Sequence, residues 1–560
     1  MENILSLTRE FAKTKLSCGK NLIEITAYNN ISFWWFIDVL FYNHLKQVSS
    51  QKEKTLQNFD TLLKVYRHVG ISLNLIYDLT LKLIQSLLIT LMPNKARFSK
   101  GAETILLLSR DMYWGASNAT SRNDNPKTDS FYAEIITDLI GKYNYNICST
   151  YFIDQSPIRG LKIFADKILN WNIKYTPINI YWSYDVWRKE VLAYNHFRDL
   201  WNQIKDDPIL QGMCESIGLY NRNQILKELE FFFLVIFPFE VKYMEMAKKA
   251  IKKHDPKLLV LINEYGWQER ALLVTALSNH IPVLAVQHGV IHDKHKGYMY
   301  AKDEISKTGE INSPYCPIPN ITALYGEYHF NLLVERSGYN PKQLAVTGQP
   351  RYDIIARFNK NTRERFLDRH GIPSDKKIVL WTTQSHGMQL EENRTNLEVV
   401  CSTIKEINNV TLVIKQHPGE KKFHTTLIMD YLKKYDINGF ILPKDANTLE
   451  AIYCSDIVII KSSTTGMETI AMGKPLIVLN LSVNGDEVNY VEEGVAIGIY
   501  QKEDLLPTLK NVLLGNLCPS VNREAYISKY LYRIDGKSAD RVSALIDEMV
   551  KSNFEFKRSP

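Results

Sequence analysis

The 560-residue sequence carries several short stretches whose residue types suit phosphate binding and proton transfer. One is Ser462-Ser463-Thr464-Thr465-Gly466-Met467-Glu468. Small hydroxyl residues and a glycine opening a helix leave backbone N–H groups unpaired, and these favour a phosphate. Glu468 stands one turn further in, where a carboxylate accepts hydrogen bonds from ribose or sugar hydroxyls. The same spacing, Thr465-x-x-Glu468, also forms a capping box, which needs no ligand. Another is Lys415-Gln416-His417-Pro418. A cation and an imidazole at a strand end can face a pyrophosphate, and the proline stops the sheet; a lone His–Pro equally marks a surface turn. Thr382-Thr383-Gln384-Ser385-His386-Gly387 adds backbone amides suited to cradling the same phosphates.

Two further stretches offer a base. Asn263-Glu264-Tyr265-Gly266 sets a carboxylate just beyond an apolar run, where a general base belongs. An acid in the first turn of a helix reads the same way. Gln287-His288-Gly289 leads into a loop with His292, Lys294, His295 and Lys296, a composition suited to an anionic acceptor or to donor phosphates. His288 is the best placed of these. Three histidines suffice in number for a metal, but their spacing matches no zinc pattern, and no metal site is expected. Thr347-Gly348-Gln349-Pro350-Arg351-Tyr352-Asp353 reads mainly as a crossover, with Gly348 permitting a tight turn. Neither a Walker loop nor G-x-G-x-x-G is present, which argues against ATPases and ordinary dinucleotide dehydrogenases.

The elements that must hold these residues alternate. Strands are predicted at 103–109 and 145–152, then at 257–262, 282–286, 321–325 and 344–347, with helices between them. A second series of strands follows at 377–382, 410–415, 440–442, 457–461 and 476–479. Repeated β-α-β predicts parallel sheets covered on both faces. The expected architecture is α/β: two Rossmann-like, doubly wound domains facing a cleft, with a helical N-terminal extension. Ligands then sit beyond the carboxyl ends of the strands, where the stretches above fall. The predicted boundaries are 1–100 for the extension, 101–355 and 356–515 for the two domains, and 516–560 for a helical tail.

Composition narrows the partners. Apolar residues are 45% and charged residues 23%, as in ordinary globular chains. A net charge of +7 from 68 basic and 61 acidic side chains, without a long basic run, predicts no nucleic-acid binding. It suits anionic small molecules or a phospholipid surface. Seven dispersed cysteines without a C-x-x-C pair suggest no zinc ribbon and fit a reducing cytoplasm. The early acid and the missing apolar core at the N-terminus argue against a secretory signal. The stretch 71–92 is long and apolar but contains Asn74, Asp78, Lys82 and Gln85. It reads first as a buried amphipathic helix, second as an interfacial one and last as a true span. Phe33-Trp34-Trp35-Phe36 reads as packed core, with a bilayer contact as the alternative. A cytoplasmic protein is expected, at the inner face of the membrane if 31–92 touches lipid.

Taken in order, Gln287-His288-Gly289, Thr347 to Asp353, Lys415 to Pro418 and Ser462 to Glu468 resemble the GT-B superfamily of surface-carbohydrate enzymes. That superfamily includes capsule and lipopolysaccharide glycosyltransferases, Kdo transferases, poly(glycerol-phosphate) transferases and UDP-N-acetylglucosamine 2-epimerases. The resemblance covers 257–500 well and 101–256 loosely, and does not extend to 1–100. It implies that the first domain holds the acceptor, the second the nucleotide, and that a final helix crosses back. It also implies no essential metal and no cofactor beyond a UDP-, CDP- or CMP-linked donor as substrate. His417, Ser463, Thr464, Thr465 and Glu468 would be donor contacts, and Lys415, Ser462, Gly466, Thr383 and Gln384 complete the candidate donor set. Glu264-Tyr265-Gly266 is similar to the acidic-x-Gly motif of bacterial sialyl- and polysialyltransferases, which implies Glu264 as base and His417 as phosphate contact or acid. The expected function is transfer of a sugar or polyol phosphate to a hydroxyl of a glycan or lipid-linked acceptor. The alternatives are a 2-epimerase-like isomerase and a non-catalytic nucleotide- or glycan-binding member of an assembly complex.

Overall fold

The computed structural model describes residues 4–49, 72–91, 101–110, 114–116, 127–129, 131–139, 141–150, 165, 176–216, 222–306, 311–385, 388, 390–417, 419–444, 446–482, 485–486, 488–517 and 522–551. Two six-stranded parallel sheets dominate it. The first holds β1 (Thr104–Arg110), β2 (Asn144–Thr150), β3 (Leu258–Ile262), β4 (Val283–Val286), β5 (Ile321–Leu324) and β6 (Leu344–Val346), in the order β6-β5-β4-β3-β1-β2. The second holds β7 (Lys377–Thr382), β8 (Val410–Lys415), β9 (Phe440–Leu442), β10 (Ile457–Ile460), β11 (Leu476–Leu479) and β12 (Ile497–Ile499), in the order β9-β8-β7-β10-β11-β12. Both sheets are doubly wound. The strand order reverses between β1 and β3 in one and between β7 and β10 in the other, and these switch points open the crevices where ligands bind.

The strands form because their residues are apolar on both faces. Leu258, Val260 and Ile262 of β3 enter one core while Leu259 and Leu261 enter the other, the period-two alternation of a strand covered by helices on each side. In β7, Ile378 and Leu380 divide in the same way from Val379 and Trp381.

The N-terminal helices Ile4–Lys13 and Trp34–Ser49 share a core with one face of the first sheet. Phe33, Trp34, Trp35 and Phe36 are buried, and Phe33 packs against Phe197 and Phe237. The aromatic cluster is therefore protein core and touches no bilayer. Beside it, Asp38 pairs with Arg270 at 2.8 Å and Lys296 at 3.1 Å, all three buried. Removing one partner of such a buried cluster typically costs about 3–5 kcal/mol. The aromatic run around Phe231 also stays inside. Helix Arg222–Phe231 passes through a π-helical turn, Phe232–Ile236, into helix Phe237–His254. Pro238 lies at the start of that helix, where a missing N–H costs least, beside the altered bonding of the π turn.

Helix Ser72–Leu91 corrects the expectation of a buried amphipathic helix. Its polar residues face the protein. Asp78, 2% exposed, binds Lys242 at 2.9 Å; Asn74 donates to Glu190; and Lys82 donates to the Trp182 carbonyl at 2.6 Å. One apolar stripe faces outward, with Ile76, Leu83, Leu87 and Leu91 between 58% and 68% exposed, while Leu81 is buried and Leu75, Leu88 and Ile89 pack against the cores. The helix is amphipathic as read, but its polar residues share the inward face and an apolar stripe is exposed. Residues 50–71, within the stretch expected to touch a membrane, lie outside the described residues.

The last helix, Ser538–Lys551, returns to the first sheet, where Val542, Ile546 and Met549 join Ile105 and Leu107. The segment from Thr347 to Asp353 is its socket. Asp353 accepts from the Ser538 and Ala539 amides at 2.9 and 2.7 Å, and Arg541 donates to the Thr347 carbonyl at 2.7 Å. Gly348, at φ +79°, lies so close that a Cβ there would stand 2.6 Å from the Ser538 hydroxyl.

Candidate functional site

The donor-side residues gather at the switch point of the second sheet. Gln384 follows β7 and Ser462 follows β10. The Gln384 side-chain amide both accepts from the Ser462 N–H, at 2.7 Å, and donates to the Ser462 carbonyl. This clamp fixes the crevice between the two strand ends. The Thr383 N–H is held by the Lys415 carbonyl at 3.0 Å, while the buried hydroxyls of Thr382 and Thr383 have no partner among the described residues. Buried hydroxyls normally find a partner, so these two mark the strand end as a place to look for a ligand contact.

The loop after β10 is self-organised. The Ser463 hydroxyl accepts from the Thr465 N–H at 3.2 Å and lies 2.9 Å from the Thr465 hydroxyl, while Tyr490 donates to the Ser463 carbonyl at 2.7 Å. Thr464 is exposed beside them. Gly466 is required, since a Cβ would meet the Tyr490 ring at 2.4 Å. Helix Thr465–Ala471 has only seven residues, so its dipole is small and the loop's own hydroxyls and amides carry the polarity. The capping box does not form: the N-cap is Thr464, without a side-chain cap bond, and Glu468 is paired elsewhere.

Lys415 points inward and donates to the carbonyls of Gln416 and Lys444 at 3.2 and 2.9 Å. It supports the turn that presents His417. His417 is exposed, and its Nδ1 accepts from the Gly419 N–H at 3.0 Å. That bond leaves the ring proton of the neutral form on Nε2, as a donor. His386, Gly387 and Pro418 lie outside the described residues.

On the first sheet, Gln287 braces the loop after β4. Its side chain accepts from the Tyr325 N–H at 2.8 Å and donates to the Gly289 carbonyl at 2.7 Å. His288 is thereby presented beside Tyr265, whose hydroxyl lies 3.3 Å from Nε2. Burial, and then the Arg110 charge, lower its pKa to about 4, so the imidazole is neutral near pH 7. Its Nδ1 is buried without a partner among the described residues. Arg110, at the end of β1, forms a two-pronged ion pair with Glu269 beneath Gly266.

Glu264 lies deeper. Its carboxylate accepts from Tyr339 at 3.1 Å and from Thr322, inside β5, at 3.1 Å. Burial raises its pKa to about 7 despite those bonds. In this conformation it faces side chains of its own domain, and the group presented at the strand ends is His288.

The two halves meet through Phe131 and Arg351, which sequence reading did not single out as functional. The His288 ring lies 6.4 Å from that of Phe131, and the Arg351 guanidinium lies 5.8 Å from the same Phe131 ring. Arg351 then binds the buried Glu468 at 2.8 Å. A candidate base on one sheet is thus joined by contacts to the candidate donor loop of the other. Val290, two residues after His288, packs against the second domain's core. The signal for Arg351 was present, since it follows a strand end within the segment read as a crossover. Phe131 had no such signal, because its place depends on the packing of helix Ala133–Leu139.

The sequence profile of a family described as CDP-Glycerol:Poly(glycerophosphate) glycerophosphotransferase matches residues 260–548, just over half of the chain. No curated protein matches the chain. Among solved structures it is similar to a UDP-N-acetylglucosamine 2-epimerase from Listeria monocytogenes described as putative, at 13% identity and TM-score 0.49, over 81% of this chain and 98% of that one. The corresponding values for the 2-epimerase from Neisseria meningitidis bound to UDP-GlcNAc are 13%, 0.47, 79% and 100%. For the wall teichoic acid polymerase TagF they are 12%, 0.46, 89% and 99%.

Proposed function

The chain belongs to the CDP-glycerol:poly(glycerophosphate) glycerophosphotransferase family, and on that premise we propose that it carries glycerol phosphate from CDP-glycerol to a terminal hydroxyl of an anionic surface polymer. It is a GT-B transferase that works from a nucleotide-activated donor in cell-surface polymer synthesis. The family match favours transfer over the isomerase and non-catalytic alternatives.

In the proposed reaction the acceptor oxygen attacks the glycerol-bearing phosphorus. The bond from that phosphorus to the bridging oxygen breaks, CMP departs, and the acceptor proton passes to His288. A neutral imidazole at neutral pH suits that task. The Nε2–H of His417 and the loop around Ser463 and Thr465 meet the charge that develops on the departing phosphate. The observation that carries this reading is the run of contacts from His288 through Phe131 and Arg351 to Glu468, which joins base and donor loop across the two sheets.

The reading sets the enzyme at the inner face of the membrane. Support comes from helix Ser72–Leu91, with its outward apolar stripe and its polar side engaged by the protein. Asn74–Leu91 is long and apolar enough to cross a membrane. Because Asn74, Asp78 and Lys82 are held by the folded domain, the helix suits lying in the interface better than crossing it.

His288→Gln tests the chemistry. Loss of a general base slows CMP release by roughly 100- to 10,000-fold, while CDP binding, read by calorimetry, stays within about twofold. Turnover equal to the wild type removes His288 from the mechanism.

A further inference from the structure

Arg351 makes one side-chain hydrogen bond, from Nη2 to Glu468 Oε1 at 2.8 Å. Among the described residues its Nε and Nη1 have no protein hydrogen-bond partner, and its side chain is 29% exposed where that of Glu468 is 3%. A guanidinium carries five N–H donors in a fork that matches two oxygens of a phosphate. Most of this fork is unused. It stands at the crossover between the sheets, with one side over Phe131 and the other against the helix that follows the Ser463–Thr465 loop.

Glu468 and an incoming diphosphate offer the same chemistry, oxygen anions, to the same cation. The diphosphate brings more charge and more oxygens, and it can engage the fork with two parallel bonds. Glu468 is buried and costs free energy if left unpaired, so its release requires replacement donors. The hydroxyls of a polyol or ribose are such donors.

We infer that Arg351 is a phosphate-binding residue of the donor site, held by Glu468 in the conformation described and handed to the donor's diphosphate on binding, while Glu468 turns to the donor's hydroxyls. The inference rests on the reading that a nucleotide diphosphate occupies this cleft, and it adds the residue that reads its charge. Arg351 leaves the first sheet's last strand and Glu468 belongs to the second sheet's donor helix. The exchange therefore couples donor arrival to the contact between the two halves.

The test uses the full chain and inorganic pyrophosphate, a probe with the charge but without hydroxyls or base. Binding is measured by calorimetry for the wild type, Arg351→Gln, Arg351→Lys and Glu468→Gln, with melting curves to establish that each variant is folded. Arg351→Gln is expected to weaken pyrophosphate by about tenfold or more, the scale of a charge-assisted pair. Arg351→Lys, which keeps the charge and loses the fork, falls between. Glu468→Gln removes the competitor and is expected to bind pyrophosphate as tightly as the wild type or more so. Equal losses in Arg351→Gln and Glu468→Gln would mean a structural tie and would overturn the proposal. Unchanged affinity in Arg351→Gln, or a wild type that does not bind pyrophosphate, would overturn it as well. Failure of CDP-glycerol as a donor with these affinities in the expected order would count against the donor assignment alone.

Discussion

At the scale of single residues, the site separates two candidate bases by environment. His288 sits at a strand end beside Arg110 with its pKa lowered to about 4, whereas Glu264 is enclosed by Thr322 and Tyr339 with its pKa raised to about 7. A base works only when unprotonated, so activity falls as pH drops through its pKa. If His288 is the base, kcat/KM for the donor stays level from pH 8 down to about 5 and falls toward 4. An acid limb centred near 7 would assign the role to Glu264 instead. Stability follows the same sign: a histidine with a lowered folded pKa contributes fully above the unfolded value near 6.5, and loses that contribution as pH falls toward 4. Sequence showed which residue types could do this chemistry, because hydroxyls, His–Pro and Gln-His-Gly stand directly after strands. It did not show direction. Lys415 turning inward and Glu264 folding back under β5 depend on partners that no local spacing encodes.

At the scale of elements, helix Ser72–Leu91 shows what periodicity reveals and what it leaves out. The polar positions Asn74, Asp78, Lys82 and Gln85 repeat at helical spacing and define one face. Which face meets the protein depends on Lys242 and Glu190, more than 100 residues away, and they select the polar one. The exposed stripe of Ile76, Leu83, Leu87 and Leu91 is the face proposed to meet lipid, and burial, then the nearby Lys249, lower the pKa of Lys82. The full chain is expected to float with anionic vesicles, and a Leu83→Glu/Leu87→Glu double variant to stay at the bottom of the gradient with its melting temperature unchanged. Co-flotation of both proteins would contradict an interfacial role for this helix.

At the scale of the whole molecule, the two-sheet architecture was legible because each strand is a short apolar run bounded by turn residues. Both expected series of strands are present, and β12 (Ile497–Ile499) was the addition. The sharing of one core by the first sheet and the N-terminal helices was not legible, since it rests on Phe33 meeting Phe197 and Phe237 across the chain. The segment from Thr347 to Asp353 was visible as a motif and is accounted for by a helix nearly two hundred residues later, seated on Asp353 and Thr347. These long-range ties set the two switch points in one molecule, with His288 on one side and the Ser463–Thr465 loop on the other. The most direct measurement supplies the purified full chain with CDP-glycerol and a polyol-phosphate acceptor, alongside UDP-N-acetylglucosamine alone, and follows nucleotide products and acceptor mass. The account predicts CMP release matched by acceptor growth in glycerol-phosphate steps, with no change to the UDP-sugar. Epimer formed from UDP-N-acetylglucosamine without acceptor, or CDP-glycerol left intact while another nucleotide donor is consumed, would contradict it.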